Sequence, residues 1–208
     1  MDYYAHIRIE NDREQVQYLE EHNRKTAQYA ADALKVCGLS STARLAGLVH
    51  DIGKATAAFQ TYLERTVHGE NVARGSVNHT FAAVRFLLTR YNDALTFGSY
   101  AQLTASLLAY AVGAHHGPFD CVDAEHHSGF RHRLEQEGIS YAEAEAEFRR
   151  VCGVEETDRL FRAATGEVED FFKGLLRTMP TRPTAQEFLF YAGMLARLLL
   201  SAVIEGDR

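Results

Sequence analysis

Apolar residues recur at spacings of three and four along most of the chain, the period of an amphipathic helix. From Tyr18 to Cys37 the inward stripe reads Leu19, His22, Thr26, Ala30, Ala33 and Cys37, opposite Glu20, Glu21, Arg24 and Lys25, and Gly38 supplies a stop. Ser40 or Ser41 is placed to cap a second helix from Thr42 to about Asp51. Gly53 interrupts it, and a third runs from about Ala55 to Arg65. After a loop from Thr66 to Asn78, a helix from His79 to Tyr91 buries Phe81, Val84, Leu87 and Leu88. Another, from Tyr100 to Ala114, breaks at His115-His116-Gly117-Pro118. The polar stretch from Phe119 to Gly138 reads as a loop with one short helix. Helices follow over Tyr141–Val151 and Glu155–Arg177, with Gly166 a point where the second can split. Thr184-Ala-Gln-Glu187 is a capping box opening a last helix to Asp207. No alternating stretch is long enough to predict a strand, so the expected fold is all-α.

At 208 residues the chain makes one domain, 1–208, with length to spare for an appended hairpin. Only three prolines interrupt it, which permits long helices. A formal charge of −6 disfavours nucleic-acid binding by bulk positive charge and requires a local cationic feature for any phosphate partner. Three scattered cysteines, Cys37, Cys121 and Cys152, fit neither a disulfide framework nor a thiolate zinc site and suit a reducing cytoplasm. Cys37 reads as plain core. The stretch Phe188 to Ile204 carries Arg197 and reads as a core helix rather than a membrane span.

Ten histidines change this picture. His22, His50-Asp51, His79, His115-His116 and Asp207 all fall at helix ends or on inward stripes. A lone histidine such as His22 is more often a hydrogen-bonded core residue than a ligand. Two adjacent polar pairs are different, because burying them is costly unless they share a partner such as a divalent cation. Asp207 is either a solvated helix-end group or a buried ligand. Five imidazoles and two carboxylates exceed one tetrahedral zinc and suit two ions sharing one bridging carboxylate. The imidazole-rich set points to manganese, iron, cobalt, nickel or zinc. Two such ions outweigh the two aspartates and leave the pocket positive.

His50-Asp51-Ile52-Gly53-Lys54 resembles the doublet motif of the HD phosphohydrolase superfamily. With HDIGKATAAFQTYL, NHTFAAVRFL, the AHHG turn and the closing SAVIEGDR, the chain resembles the HD nuclease domain of the CRISPR-associated "Cas three" nuclease–helicase family from about Leu19 to Asp207. That resemblance implies a compact helical domain around a metal centre that hydrolyses phosphodiester bonds of single-stranded DNA through metal-activated water. It implies endonuclease action, with exonuclease action beside it, and service to a type I CRISPR interference complex. One metal site would use His22, His50, Asp51 and Asp207, and the other His79, His115 and His116 with Asp51 bridging. Lys54 would meet phosphate oxygens as a point charge. The family's closing Asp-Ala-Asp reads Glu205-Gly206-Asp207 here, and Gly206 is expected to loosen the last turn. No helicase follows Arg208, so a helicase is expected as a separate subunit or as an excised neighbour.

His6 and His68 lie in polar segments and are expected in solvent. His126, His127 and His132 could line a substrate groove with Arg131 and Arg133, or simply belong to a surface loop. Phe119, Phe130 and Tyr141 are candidates for base stacking or for packing on the core. Two rival functions stand beside the nuclease: a phosphohydrolase of nucleotides or cyclic nucleotides, and a metal-stabilised interaction module without activity.

Overall fold

The structure, a computed structural model, describes residues 2–11, 13–73, 77–117, 129–135 and 140–208. Its body is helical: α1 (Leu19–Leu34), α2 (Ser40–Val49), α3 (Ala57–Val67), α4 (Thr80–Arg90), α5 (Ala94–Phe97), α6 (Ala101–Gly113), α7 (Gly129–Glu135), α8 (Tyr141–Cys152), α9 (Val154–Thr178) and α10 (Ala185–Asp207). Among the described residues, the departure from the all-α expectation is an antiparallel hairpin, β1 (Tyr4–Glu10) and β2 (Arg13–Tyr18), with His6 opposite Gln17 and Arg8 opposite Gln15. Its alternation, through Ala5, Ile7 and Ile9, is short and half exposed, so it carries little periodic signal.

Helix α2 is the centre of the molecule, buried from Thr42 to Val49 except at Arg44 and packed against α1, α6, α9 and α10. A helix so nearly enclosed must satisfy its first N–H groups largely from protein. Neither serine does so. The Glu167 carboxylate of α9 accepts the N–H groups of Ser41 and Thr42, each at 2.8 Å, and the Thr42 hydroxyl at 2.8 Å. Its negative charge also meets the positive end of the α2 dipole. Ser40 instead donates to the Ala31 carbonyl at 2.8 Å, tying α2 to α1.

One core cluster joins Leu45, Leu48, Phe81, Phe86 and Leu108, with Tyr91 and Phe161 stacked at 4.0 Å. A second joins Leu34, Leu39, Leu107, Phe172, Leu195 and Leu199. Helix α9 runs unbroken through Gly166. Helix α10 opens with the expected capping box of Thr184 and Glu187. It is long and apolar enough to cross a bilayer, yet one of its faces lies in the second cluster. Its other face leaves Leu189, Phe190, Met194 and Leu198 exposed, so the helix is core along one side only.

Cys37 is exposed rather than core. The chain tightens into a 3-10 turn at Lys35–Cys37, which rotates residue 37 off the α-helical stripe before Gly38 turns left-handed at φ 71°. Phe130 and Tyr141 pack on the first cluster, Phe130 against Phe81 at 5.4 Å, so neither is free to stack bases. Arg131, His132 and Arg133 belong to α7. Phe119, Cys121, His126 and His127 lie outside the described residues.

Candidate metal centre

The C-terminal end of α2 delivers His50 and Asp51, both fully buried, into the middle of the fold. Around them stand His22 from α1, His79 at the start of α4, His115 and His116 beyond α6, and Asp207 at the end of α10. All seven residues singled out from the sequence converge. Ligand-capable atoms of His22, His50, Asp51 and Asp207 lie within 4.8 Å of one another, as do those of Asp51, His79 and His116, and of His115, His116 and Asp207. His115 thus sits between the two expected groups rather than wholly in the second.

Asp51 divides the cluster by its two oxygens. Oδ2 lies 3.5 Å from His22 Nε2 and 3.3 Å from His50 Nε2, while Oδ1 lies 3.7 Å from His79 Nε2 and 3.6 Å from His115 Nε2. Asp207 Oδ1 approaches His22 Nε2 at 3.0 Å and His50 Nε2 at 3.3 Å. His79 and His116 face each other Nε2 to Nε2 at 3.0 Å.

Backbone carbonyls aim the rings. His50 Nδ1 lies 2.7 Å from the Gly47 carbonyl and His115 Nδ1 lies 2.6 Å from that of Val112. Donation from Nδ1 orients each ring with Nε2 toward the cluster, the usual support of a metal-binding imidazole. Yet His115 Nε2 and Asp51 Oδ1 are buried without a hydrogen-bond partner. Two orphaned polar atoms 3.6 Å apart and facing common space are costly unless a further group satisfies them, and their chemistry fits a divalent cation.

Without cations, protons and Lys54 balance the two carboxylates. Burial pushes the Asp51 carboxyl up, but Lys54 and His50 outweigh it and hold the group well below the carboxylate range. Asp207 is likewise depressed, burial being overcome by hydrogen bonds from His22 and His50. His50 is raised to about 9, because the two aspartates overcome its burial, and His22 is raised for the same reason. Burial instead depresses His79 to about 3 and His116 to about 4.

Several supports were not legible in the sequence. Gly53 follows the doublet closely because α4 passes against it: a Cβ there would meet the His79 carbonyl oxygen at 1.9 Å. Gln60 clamps the hairpin to the site, its amide donating to the Tyr4 and Lys54 carbonyls at 2.9 and 2.8 Å and accepting the Tyr4 N–H at 3.0 Å. Phe59 packs on the His79 ring at 4.7 Å. Gly206, expected to loosen the last turn, instead seats α10 on α1: a Cβ would meet the Thr26 carbonyl oxygen at 2.9 Å, and the Thr26 hydroxyl donates to the Gly206 carbonyl. His6 is exposed, as expected, and its ring also meets that of His22 edge-on at 4.9 Å. His68 is exposed, as expected.

The family model described as "Cas3, HD domain" matches residues 14–196, a span that includes every residue of the cluster except Asp207. No curated protein matches the chain.

Proposed function

Because this chain belongs to the family of Cas3 HD domains, metal-dependent nucleases of CRISPR systems, we propose that it cleaves internal phosphodiester bonds of single-stranded DNA in type I interference, with exonuclease action beside it. It would act in the cytoplasm as a single nuclease domain, alongside a helicase and the recruiting complex. The observation that carries this reading is the division of Asp51, each oxygen turned to its own pair of imidazoles.

His22, His50, Asp51 and Asp207 would hold one divalent transition-metal ion, and His79, His115 and His116 a second, with Asp51 shared. When bound, such ions polarise phosphoryl oxygens and acidify water, which is the chemistry phosphodiester hydrolysis needs. The protein's own part is positioning. Gly47 and Val112 carbonyls orient two imidazoles with Nε2 toward the centre. Lys54, buried beside Asp51, supplies a fixed positive charge to a non-bridging phosphate oxygen.

Circular single-stranded DNA, mononucleotides and cyclic nucleotides, each offered with manganese, iron, cobalt, nickel or zinc, test the reading. Opening of circles is the expected result. Hydrolysis of nucleotides alone would assign the chain to nucleotide metabolism, and bound metal without hydrolysis would make it an interaction module.

A further inference from the structure

Beside the metal centre lies an open cavity of about 750 Å³ whose inner end is formed by His22 and Asp207. The β1–β2 hairpin forms one wall. His6 and Arg8, two residues apart on β1, share a face with their cross-strand partners Gln17 and Gln15, and all four line the cavity. Lys25 of α1 and Arg208 complete the set. Every one of these six side chains can donate hydrogen bonds, and three are permanent cations. Their existing partners are weak competitors: Arg8 pairs with Glu10 at 3.3 Å, Lys25 with Glu21, and Arg208 with Glu205 at 3.0 Å, all exposed. Exposed pairs of this kind contribute at most about 1 kcal/mol, so an incoming phosphate can exchange for the carboxylate.

We propose that this hairpin face is a phosphate-guiding subsite, holding the substrate strand beyond the scissile bond through His6, Arg8, Gln15 and Gln17. The inference rests on the nuclease reading and narrows it. Along β1 the donors advance about 6.6 Å from His6 to Arg8, away from a single reacting phosphate, so the row is useful only to a substrate with several phosphates in series. Of this wall, His6 and Arg8 on β1 precede the residues matched by the family model, while Gln15 and Gln17 on β2 fall within them. Gln60 keeps the hairpin in register with the centre by bonding both Tyr4 and the Lys54 carbonyl.

The test is the double variant Arg8→Glu/Gln15→Glu in the full chain, both sites being exposed. Fluorescence anisotropy with a labelled oligodeoxythymidylate reads binding, and steady-state cleavage of the same oligonucleotide is compared with turnover of bis(p-nitrophenyl) phosphate. The expected result is about tenfold weaker binding, a salt slope lower by about 0.7 per lost phosphate contact, and a KM raised about tenfold. Unchanged kcat and unchanged small-diester turnover complete it. Unaltered oligonucleotide affinity and KM would overturn the proposal, as would an equal loss on the small diester, which would make the hairpin a mere support of the centre. Charge-sensitive binding by a wild-type chain that cleaves nothing would uphold the subsite and sink the nuclease reading instead.

Discussion

Lys54 Nζ lies 2.6 Å from Asp51 Oδ2, the same oxygen that faces His22 and His50. Both groups are buried, and a cation held by His22 and His50 would share this oxygen with the ammonium. Lys54→Ala is expected to retain metal while slowing cleavage about a hundredfold, the scale of losing one positioned charge at a phosphoryl centre. In chelator it should also lose about 3 kcal/mol of stability, because an uncompensated buried carboxylate remains. Melting curves with and without manganese check the second point, and turnover checks the first.

Asp51→Ala removes the carboxylate whose oxygens face both imidazole groups. Bound metal and DNA cleavage should disappear together. Retained cleavage, measured beside elemental analysis of the same preparation, would refute a shared ligand.

Metal uptake should release protons. His50 is raised to about 9, so it carries a proton at neutral pH in the metal-free centre, and His22 is shifted in the same direction. Ligation needs neutral imidazole, so affinity should climb with pH until about 9, with about one proton or more displaced per chain at pH 7. Calorimetry in buffers of different ionisation enthalpy counts those protons, and pH-independent binding would contradict the assignment.

Gly53→Ala and Gly166→Ala should move stability in opposite directions. The first drives a methyl into the His79 carbonyl and should cost about 2–3 kcal/mol while displacing that imidazole. The second meets nothing within 4 Å inside α9 and should stabilise by about 0.5–1 kcal/mol. Chemical denaturation distinguishes them.

Away from the centre, Arg90 grips Asp158 through two 2.8 Å bonds, and the Tyr91 hydroxyl donates to the same carboxylate. Burial raises the Asp158 carboxyl, but the Arg90 interaction outweighs it and sets the group below 3.8. A depressed carboxyl stabilises the fold above its unfolded value and loses that contribution as pH falls through the folded one. Asp158→Asn should therefore be less stable than wild type at pH 7, with the gap closing as pH falls below about 4.

Much of this was legible in the sequence, for identifiable reasons. Thr184 and Glu187 announced α10 because a capping box is a local device, and Gly38 marked a stop because only its own backbone is involved. The cap of α2 was not, since Glu167 arrives from a helix far along the chain. The seven clustered residues could be named because two adjacent polar pairs interrupt apolar helices. The hairpin wall, the Gln60 clamp and the close seating of Gly206 on Thr26 depend on which helices touch, which periodicity does not encode.

His22 and Asp207 stand near opposite ends of the chain, yet their side chains meet at 3.0 Å. The candidate metal centre closes only when α10 docks on α1 and carries Asp207 to His22. A nascent stretch that holds α1 but not yet α10 therefore lacks one of the centre's two carboxylates, so the centre cannot be complete before α10 has emerged from the ribosome.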